Sequence, residues 1–412
     1  MEVFRYVGGK LYCEGVSIEK IAKELGTPFY MYSHSKIEEN YRELDAALGR
    51  IPHLICYAVK ANSNLSILGI LKNLGSGFDV LSGGELYKVL KIKADPRKIV
   101  FDGVGKTKEE IEYGILNNIL MFNVESFSEL LILDNIAKKL KKEVPVGIRI
   151  NFGIDPHSAH RYIDTSKGSK FGLEANEAKK IYLQAKKFKN IKLVGLHSHI
   201  GSQILEVKPF EMTFKLIFSF VEELKKQGIN LKYIDVGGGL GIPYKENENK
   251  FPLKEYARAL SLFKNCKVIL ETGRFIVGNS AILVTKVLYI KNSFGKTFVI
   301  VDSGMNDLIR PSLYGAYHRI IPIIKLSNYP IVRSNVVGPV CETGDFFALN
   351  RRMPLPKEGD LLAIRDTGAY GFEMSSNYNS HCRPLQILVQ GKKYSVIRKR
   401  EEYADLIRGE KL

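Results

Sequence analysis

The first 275 residues alternate between two patterns of hydrophobic positions. Short runs rich in Val, Ile and Leu predict strands, and longer segments with apolar residues at helical spacing lie between them. The predicted strands span residues 54–59, 77–80, 98–103, 119–124, 146–151, 193–200, 233–238 and 267–271. Eight strands alternating with helices are typical of a TIM-type (β/α)₈ barrel, whose active site lies at the C-terminal ends of its strands. An open doubly wound sheet is the alternative, and it would require a topological switch point that the pattern does not reveal.

After Gly278 the pattern changes to strand-like runs broken by Gly, Pro, Asn and Asp, with little helical period. This texture predicts an all-β domain, a β-sandwich or β-barrel, at residues 277–412. We expect the (β/α)₈ domain at residues 30–276. Residues 1–29 also contain short strand-like pieces, and we expect them to join the β domain. The predicted fold class is therefore α/β plus all-β.

Composition narrows the class of protein. Of the 412 residues, 45% are hydrophobic and 25% are charged, which is typical of a folded globular chain and excludes a mainly disordered one. The sequence contains nothing like the ~20 consecutive apolar residues that a membrane crossing needs, and its first residues lack a signal-peptide pattern. Five scattered cysteines without a CxxC pair predict reduced thiols. We therefore expect a cytoplasmic protein that makes no contact with a membrane.

The net charge of +17 raises the alternative of a nucleic-acid-binding protein. The lysines, however, recur as runs at helical positions, as at 138–142 and 179–192, and they are not interleaved with aromatic residues. We interpret these runs as solvated helix faces and expect no nucleic-acid partner.

Three motifs suggest ligand sites that their spacing does not support. DGVGKT (102–107) is not a P-loop because Val100 stands where the first glycine is needed, and GGGLG (237–241) lacks the GxGxxG spacing of a dinucleotide site. His197 and His199 lie two residues apart on the sixth predicted strand, so they are expected on the same side of it. Such a pair can ligate zinc, but no matching Asp, His and Lys set follows. We therefore predict no metal site.

Groups able to bind one particular cofactor lie at the predicted strand ends. Lys60 follows five mostly apolar residues, and a desolvated lysine is a good Schiff-base nucleophile, although a lysine that merely reaches solvent from a strand end is the ordinary alternative. The glycines at 237–241 and the ETGR motif at 271–274 follow strands seven and eight, where barrels often bind phosphate. With His199 nearer the barrel mouth, a lysine, a ring-facing histidine, an acid and an anion site together match pyridoxal 5'-phosphate.

From about residue 27 to about residue 386, the chain resembles the diaminopimelate decarboxylases, a family of alanine-racemase-like, fold-type III pyridoxal-phosphate enzymes. The resemblance departs from the family pattern at 151–165 and at HCRP (381–384), both predicted loops. The motifs that carry the resemblance are YAVKAN (57–62), GFDVLSGGEL (77–86), KFGL (170–173), HSHIGSQ (197–203), DVGGGLG (235–241), ETGRFIVGNS (271–280), DSGMNDLIRPSLYGAYH (302–318), GPVCETGD (338–345) and GAYGFEMSSNYNS (368–380).

The resemblance implies a role for each matching residue in holding pyridoxal phosphate. Lys60 would form the covalent bond to the cofactor, His199 would stack on its ring, and Glu271 would pair with its ring nitrogen. The full set implied to bind the cofactor is Lys60, Asp79, His199, Ser202, Gly237, Gly238, Gly239, Glu271, Thr272, Gly273, Arg274 and Tyr370.

The resemblance also implies the reaction, which is decarboxylation of meso-2,6-diaminopimelate to L-lysine and CO₂, the last step of lysine biosynthesis. Cys341 would be the proton donor, catalytic together with Lys60 and His199, and would reach in with Glu342 from the partner subunit of a homodimer with shared active sites. The residues implied to bind the substrate are Arg274, Arg310, Tyr314, Glu342 and Tyr370.

Alternatives remain open at this point. Another basic-amino-acid decarboxylase of the ornithine, arginine or carboxynorspermidine type could use the same scaffold. A pyridoxal-phosphate carrier without enzymatic activity would need the barrel and the lysine but no second domain. Arg310 could instead form a structural ion pair with Asp307, and Cys341 could be an inert buried cysteine.

Overall fold

A computed structural model describes residues 2–154, 168–325 and 329–412. Most of the 151–165 segment, where the sequence departs from the family pattern, therefore lies outside the described residues. The chain divides into two compact units. The barrel unit comprises Tyr41–Pro243 and Asn249–Phe275, and the sheet unit comprises Met1–Asn40, Tyr244–Glu248 and Ile276–Leu412.

The N-terminal segment begins with a small antiparallel sheet in the order β1-β2-β3. Helix α1 follows it directly, and the Ser17 hydroxyl caps this helix by accepting the Lys20 N–H at 3.4 Å. Fully buried β4 comes next, and α2 leads into the barrel unit. The elements are β1 (Phe4–Val7), β2 (Lys10–Cys13), β3 (Val16–Ser17), α1 (Ile18–Leu25), β4 (Phe29–Ser33) and α2 (His34–Leu48).

The barrel unit alternates strands and helices. Its elements are β5 (His53–Ala58), α3 (Leu65–Asn73), β6 (Gly77–Val80), α4 (Gly83–Lys91), β7 (Ile99–Phe101), α5 (Lys108–Leu116), β8 (Met121–Val124), α6 (Phe127–Leu140), β9 (Val144–Asn151), β10 (Leu173–Glu174), α7 (Ala175–Leu183), β11 (Ile191–His197), α8 (Lys208–Lys226), β12 (Tyr233–Asp235), α9 (Leu253–Leu260) and β13 (Lys267–Leu270), followed by α10 (Arg274–Val277) at its boundary.

Eight of these strands form a closed parallel barrel. Neighbours pair in the order β5-β6-β7-β8-β9-β11-β12-β13, and β13 returns to pair with β5. Two-residue β10 pairs with β9 outside the ring. The predicted (β/α)₈ barrel is confirmed, and the doubly wound alternative is wrong because the sheet has no open edge.

One predicted strand end differs in a way that affects the site. The sixth barrel strand, β11, ends at His197 and not at residue 200, so His199 lies in the connection beyond it. The apolar pattern continues through Ile200, but the chain turns soon after, where Gln203 adopts a positive φ of 63°. The expectation that His197 and His199 share one side of a strand is therefore wrong.

The sheet unit continues with β14 (Ala281–Ser293), β15 (Lys296–Val301), α11 (Arg310–Tyr314), β16 (Ile320–Pro322), β17 (Ile331–Val337), β18 (Phe346–Pro354), β19 (Leu361–Arg365), β20 (Leu385–Gln390), β21 (Lys393–Arg398) and α12 (Tyr403–Leu406). Its large sheet follows the path β18-β17-β15-β14-β4-β20-β21, with β19 joining β14 to β16. N-terminal β4 lies between β14 and β20, antiparallel to the first and parallel to the second. The predicted sheet-rich C-terminal domain is thus confirmed, with one of its central strands supplied by the N-terminal segment.

Apolar residues fill both units. Helix α8 buries Phe210, Phe214 and Ile217 at helical spacing, and Phe210 meets the Tyr256 ring of α9 edge-on, with a 5.1 Å centroid separation. In the sheet unit, Phe29, Met31, Ile282 and Val284 belong to one buried cluster. Among the helices of the described chain, none has the length and apolar character to traverse a bilayer.

Candidate active site at the C-terminal end of the barrel

Lys60 lies just beyond the first barrel strand and faces a buried acid. It belongs to a single 3₁₀ turn, Val59–Ala61, that the Tyr57 hydroxyl braces by donating to the Asn62 carbonyl at 3.0 Å. Asp79 lies beside Ala58 on the next strand, β6, and its Oδ2 is 3.2 Å from Lys60 Nζ. The lysine side chain is 34% exposed and that of Asp79 is fully buried. The lysine is therefore held by an ion pair while remaining accessible to a ligand.

The pKa of Asp79 is raised to about 7. Burial is the main cause, the Lys60 ammonium opposes it, and the negative charges of Asp102 and Glu85 add to it. A group with a pKa in this range can gain or lose a proton near neutrality as its neighbours change.

The glycines after β12 make room for backbone that approaches from two sides. A Cβ on Gly237, whose φ is +65°, would lie 2.7 Å from His199 Nδ1, and one on Gly238 would lie 2.3 Å from the Glu271 carbonyl oxygen. Both distances are shorter than real Cβ contacts, so only glycine fits this backbone path. Next to these glycines, Arg274 Nη2 donates to the Ser202 hydroxyl at 3.1 Å. An arginine, a serine and close-packed glycine backbone match the predicted anion site.

His199 follows β11 and has a defined tautomer. The Gly238 N–H donates to His199 Nδ1 at 3.1 Å, so this nitrogen is unprotonated and the ring proton lies on Nε2. The residue is partly buried. Desolvation of the imidazole lowers its pKa well below the usual value, and the positive charges of Lys60 and Arg149 lower this pKa further. A neutral imidazole is therefore available at the end of the barrel.

Five buried side chains form a polar cluster beneath this end. His197 Nε2 is 3.3 Å from Glu271 Oε2 and 3.6 Å from Asp102 Oδ2. The Asn123 amide donates to Asp102 Oδ1 at 2.7 Å, and its second contact is with Asp235 Oδ2 at 3.1 Å. We call Asp102, Asn123, His197, Asp235 and Glu271 the buried polar cluster.

The acids of this cluster have different proton affinities. Burial raises the pKa of Glu271 and that of Asp235 well above the usual range, and each is raised further by nearby carboxylates. Burial would also raise the pKa of Asp102, but the facing His197 and Arg149 outweigh it and lower this pKa to about 2. Asp102 therefore holds the negative charge, while Asp235 and Glu271 favour a proton.

Sequence reasoning missed Asp102, Asn123, Arg149 and Asp235. Arg149 is buried on β9, donates to Glu125 at 2.8 Å and lies 4.7 Å from the Phe171 ring centroid. A charged residue inside an apolar strand was the signal that singled out Lys60, and the same signal in VGIRIN and YIDVGG would have found Arg149 and Asp235.

Two further groups bear on the motifs that the sequence raised. Lys106 of DGVGKT is completely buried, and its Nζ donates to the Gly103 and Asn123 carbonyls and to Glu129, so it joins the ends of β7 and β8 structurally. Asp102, His197 and Glu271 offer ligating atoms within 4.8 Å of one another, a spacing that could hold a metal ion.

In the sheet unit, Arg310 lies on short helix α11 and is completely buried. Its Nη1 donates to the Tyr244 hydroxyl at 3.0 Å and to His318 Nε2 at 2.9 Å, and its guanidinium carbon is 5.0 Å from the Tyr244 ring centroid. His318 Nδ1 is 2.7 Å from the Arg365 carbonyl, so it carries the ring proton and Nε2 accepts. A phenol and a neutral imidazole thus orient this guanidinium without neutralising its charge.

The other predicted residues of the sheet unit lie on its loops and on α11. Cys341 and Glu342 are both exposed, and the Cys341 N–H donates to the Asn379 side-chain oxygen at 2.8 Å. Tyr314 is partly buried at the end of α11, and Tyr370 is partly buried with a positive φ of 56°. The structure brings Lys60, Asp79, His199, Ser202, Glu271 and Arg274 together in the barrel unit, and it places Arg310, Tyr314, Cys341, Glu342 and Tyr370 in the sheet unit.

Comparison with known proteins identifies this architecture. The pyridoxal-binding domain of the pyridoxal-dependent decarboxylases matches residues 34–278. The chain is 46% identical to diaminopimelate decarboxylase of Aquifex aeolicus over 402 residues, 97% of this chain and 95% of that protein. It is 43% identical to the Haemophilus influenzae enzyme of the same name, covering 98% of each.

Solved structures agree. Diaminopimelate decarboxylase of Helicobacter pylori in complex with L-lysine has a TM-score of 0.91 and 42% identity, covering 95% of this chain and 98% of that one. The M. jannaschii enzyme in complex with L-lysine has a TM-score of 0.94 and 37% identity, covering 100% and 98%. The chain belongs to the pyridoxal-dependent decarboxylases and, within them, to the diaminopimelate decarboxylase family.

Proposed function

We propose that this protein decarboxylates meso-2,6-diaminopimelate to L-lysine and CO₂ with pyridoxal 5'-phosphate, in the cytoplasm and as a homodimer. The observation that carries the proposal is the grouping of the Lys60–Asp79 ion pair, Glu271 and the Arg274–Ser202 pair at one end of the barrel. Its support from relatives is the 46% identity to a diaminopimelate decarboxylase over 97% of the chain.

The site fits the cofactor chemically. Within the part of the chain that the structure describes, Asp79 Oδ1, Glu271 Oε1 and Thr272 Oγ1 are buried without a hydrogen-bond partner. Unsatisfied buried oxygens are costly, which is reasonable where a ligand supplies the missing donors. The backbone around Gly237 and Gly238, which tolerates no Cβ, adds the close approach that a phosphate needs.

Each residue has a role that follows from its position. Lys60 Nζ is the amine that would bond the cofactor, and Asp79 holds that amine and can exchange a proton with it. Arg274 and Ser202, with the glycine backbone, would hold the phosphate. Glu271 would hold the proton of the ring nitrogen, and the neutral His199 imidazole offers a flat face for the ring. When bound, pyridoxal phosphate supplies the electron sink that stabilises the charge left at the substrate's α-carbon.

Substrate recognition is proposed from Arg310, with Arg274, Tyr314, Glu342 and Tyr370 by family resemblance. Diaminopimelate carries a second carboxylate and ammonium at its far end. A guanidinium that Tyr244 and His318 orient can bind that carboxylate, and an acid such as Glu342 can bind the ammonium.

The direct test is to incubate the purified protein and pyridoxal phosphate with meso-diaminopimelate, L-lysine or L-ornithine, and to measure CO₂ and amine products. We expect L-lysine from diaminopimelate, with kcat/KM roughly 10³-fold or more above that for the other two substrates. Comparable turnover of ornithine or lysine would contradict the assignment and favour another basic-amino-acid decarboxylase.

Shared sites in a homodimer make a separate prediction. Cys341 is exposed and is implied to donate a proton in the partner's site, so mixing inactive Lys60→Ala and Cys341→Ala subunits creates one site with both native groups. After random exchange, activity should recover to about a quarter of the wild-type value, because half of the dimers are mixed and each has one intact site. Each variant mixed with itself is the control. Mass spectrometry verifies that the subunits have exchanged. If activity does not recover after verified exchange, the result argues against shared sites.

A further inference from the structure

The His197 imidazole lies between two acids that come from other strands of the barrel. Asp102 directly follows β7, His197 is the last residue of β11, and Glu271 directly follows β13. The relative exposures are 4% for Asp102, 0% for His197 and 4% for Glu271, so the contacts at 3.6 and 3.3 Å are formed away from water. β7 is not a neighbour of β11 in the ring, so the imidazole connects groups across the barrel interior.

More acids than basic side chains are buried around His197. Lys60 pairs with Asp79 and Arg149 pairs with Glu125, while Asp102, Asp235 and Glu271 surround the His197 imidazole. An ionised buried acid without a partner is very costly, so these three acids depend on the polar groups buried beside them.

The acids around His197 differ in their affinity for a proton. The pKa of Asp102 is lowered to about 2, chiefly by His197 against the effect of burial, whereas burial raises the pKa of Asp235 well above its usual range. A protonated Asp235 is a donor toward Glu271, and His197 is the second group in contact with that carboxylate. Glu271 Oε2 thus faces His197 Nε2 at 3.3 Å, while Glu271 Oε1 is buried without a partner in the described structure and is left for a ligand.

We propose that His197 is a positioning residue that, anchored by Asp102, holds the Glu271 carboxylate oriented toward the ring nitrogen of pyridoxal phosphate. This proposal rests on the proposed function, because it takes Glu271 to be the ring-nitrogen partner. Without the imidazole, Glu271 would lose the group that fixes its orientation. It would then hold the proton of the ring nitrogen less well, and the ring would accept electrons less well.

The test compares wild type with His197→Asn and Asp102→Asn, each prepared without cofactor and then loaded with pyridoxal phosphate labelled with ¹⁵N in the ring. The ¹⁵N chemical shift reports whether the ring nitrogen is protonated. His197→Asn should move this shift toward the unprotonated value and lower kcat roughly 10- to 100-fold, the range for removing an outer partner of a reacting group, with KM changed much less. Asp102→Asn, which removes only the anchoring charge from a nearly isosteric side chain, should change both in the same direction by less.

His53→Asn is the matched control. His53 begins β5 at the opposite end of the barrel, and its Nε2 is 3.0 Å from Asp45. This variant removes a histidine–carboxylate contact elsewhere in the same barrel, so the ¹⁵N shift and kcat should stay at their wild-type values.

Two results would overturn the proposal. If His197→Asn and Asp102→Asn fold, bind the cofactor and give the wild-type ¹⁵N shift, then the histidine merely supports the barrel. If the wild-type protein contains a stoichiometric metal that His197→Asn loses, then Asp102, His197 and Glu271 form a metal site. The ¹⁵N measurement needs no substrate, so failure to make lysine from diaminopimelate would refute the proposed reaction alone.

Discussion

The end of the barrel and the 302–318 segment of the sheet unit both bury charged groups, but they stabilise them differently. In the barrel, several acids share a few cations, and Asp79, Asp235 and Glu271 all have raised pKa values. In the 302–318 segment, Arg310 contacts a phenol and a neutral imidazole, each of which orients it without neutralising it.

This difference indicates that the two regions have different functions. The proton occupancy of the barrel cluster depends on which charges are nearby, so a cofactor that carries its own charge can change it. An arginine side chain is charged at all ordinary pH values, and the orientation of Arg310 is fixed by Tyr244 and His318. Such a group suits recognition of a constant anion such as a carboxylate. Proton movement is therefore expected in the barrel unit, and discrimination between substrates in the 302–318 segment.

The largest expected effect is that of Lys60→Ala on the barrel end. It removes the proposed point of covalent attachment, so activity should fall by roughly 10³-fold or more, and borohydride reduction should no longer fix the cofactor to the protein. The lysine side chain is 34% exposed and lies beyond its strand, so thermal unfolding should change little. Mass spectrometry of the reduced protein and a thermal melt measure the two effects.

Lys106→Ala is the contrasting variant. Lys106 is completely buried and pairs with Glu129 at 2.7 Å, so its loss should cost about 3–5 kcal/mol of stability, as expected when one partner of a buried ion pair is removed.

For Lys60→Ala, one result would contradict the prediction. If reduction still attaches the cofactor to the same peptide of this variant, Lys60 does not have its proposed role.

Features that depend on local sequence could be predicted, and contacts between distant residues could not. Alternating strand and helix patterns predicted the closed barrel, because each strand lies in a local apolar run. The apolar run before Lys60 and the glycines after β12 indicated the cofactor site for the same reason. The contacts of His197 with Asp102 and Glu271 could not be predicted, because they join residues that are distant in sequence and meet only when the barrel closes.

The sheet unit was less accessible to sequence reasoning. Its second-domain character was predicted from turn residues, but the insertion of β4 between β14 and β20 depends on long-range pairing. Tyr244 and His318, which hold Arg310, come from opposite sides of it in the sequence and gave no local signal. The individual roles of the predicted site residues stay predictions.

The second prediction concerns discrimination in the 302–318 segment. Arg310→Ala should lower kcat/KM for diaminopimelate by roughly 10³-fold while affecting lysine or ornithine much less, because only the former presents a distal carboxylate. Binding of pyridoxal phosphate to the protein, followed by absorbance, should be unchanged. Tyr244→Phe, which keeps the ring and removes the hydroxyl 3.0 Å from Arg310, should have a smaller effect of about tenfold, the size of one hydrogen bond to a charged group.

Arg319→Ala is the control for this variant. Arg319 belongs to the same unit and forms a 2.9 Å ion pair with Glu246, and its side chain is 30% exposed. Its replacement should leave the preference among substrates as in wild type. An equal loss of kcat/KM for all three substrates in Arg310→Ala would show that the arginine supports the fold and does not select the substrate.

The smallest expected effect concerns the stability of the 302–318 segment and the buried acid beside Arg310 in sequence. Burial raises the pKa of Asp307 to about 7, although the Gly304 N–H donates to this carboxylate at 3.1 Å. The folded protein therefore keeps a proton on Asp307 that the unfolded chain releases near its ordinary value of about 4. Because the folded state binds more protons, this residue's contribution to stability is present below about pH 4 and is lost as pH rises through about 7.

Asn cannot ionise, so the melting temperature of Asp307→Asn should rise relative to wild type by a few degrees between pH 5 and pH 8, even if the loss of one acceptor lowers it at every pH. Asp405→Asn, a change on α12 near the C-terminus, is the control and should show no such trend. A constant difference between Asp307→Asn and wild type across this range would mean that Asp307 is ionised in the folded protein, and the segment would then hold a buried negative charge as well as the positive charge of Arg310.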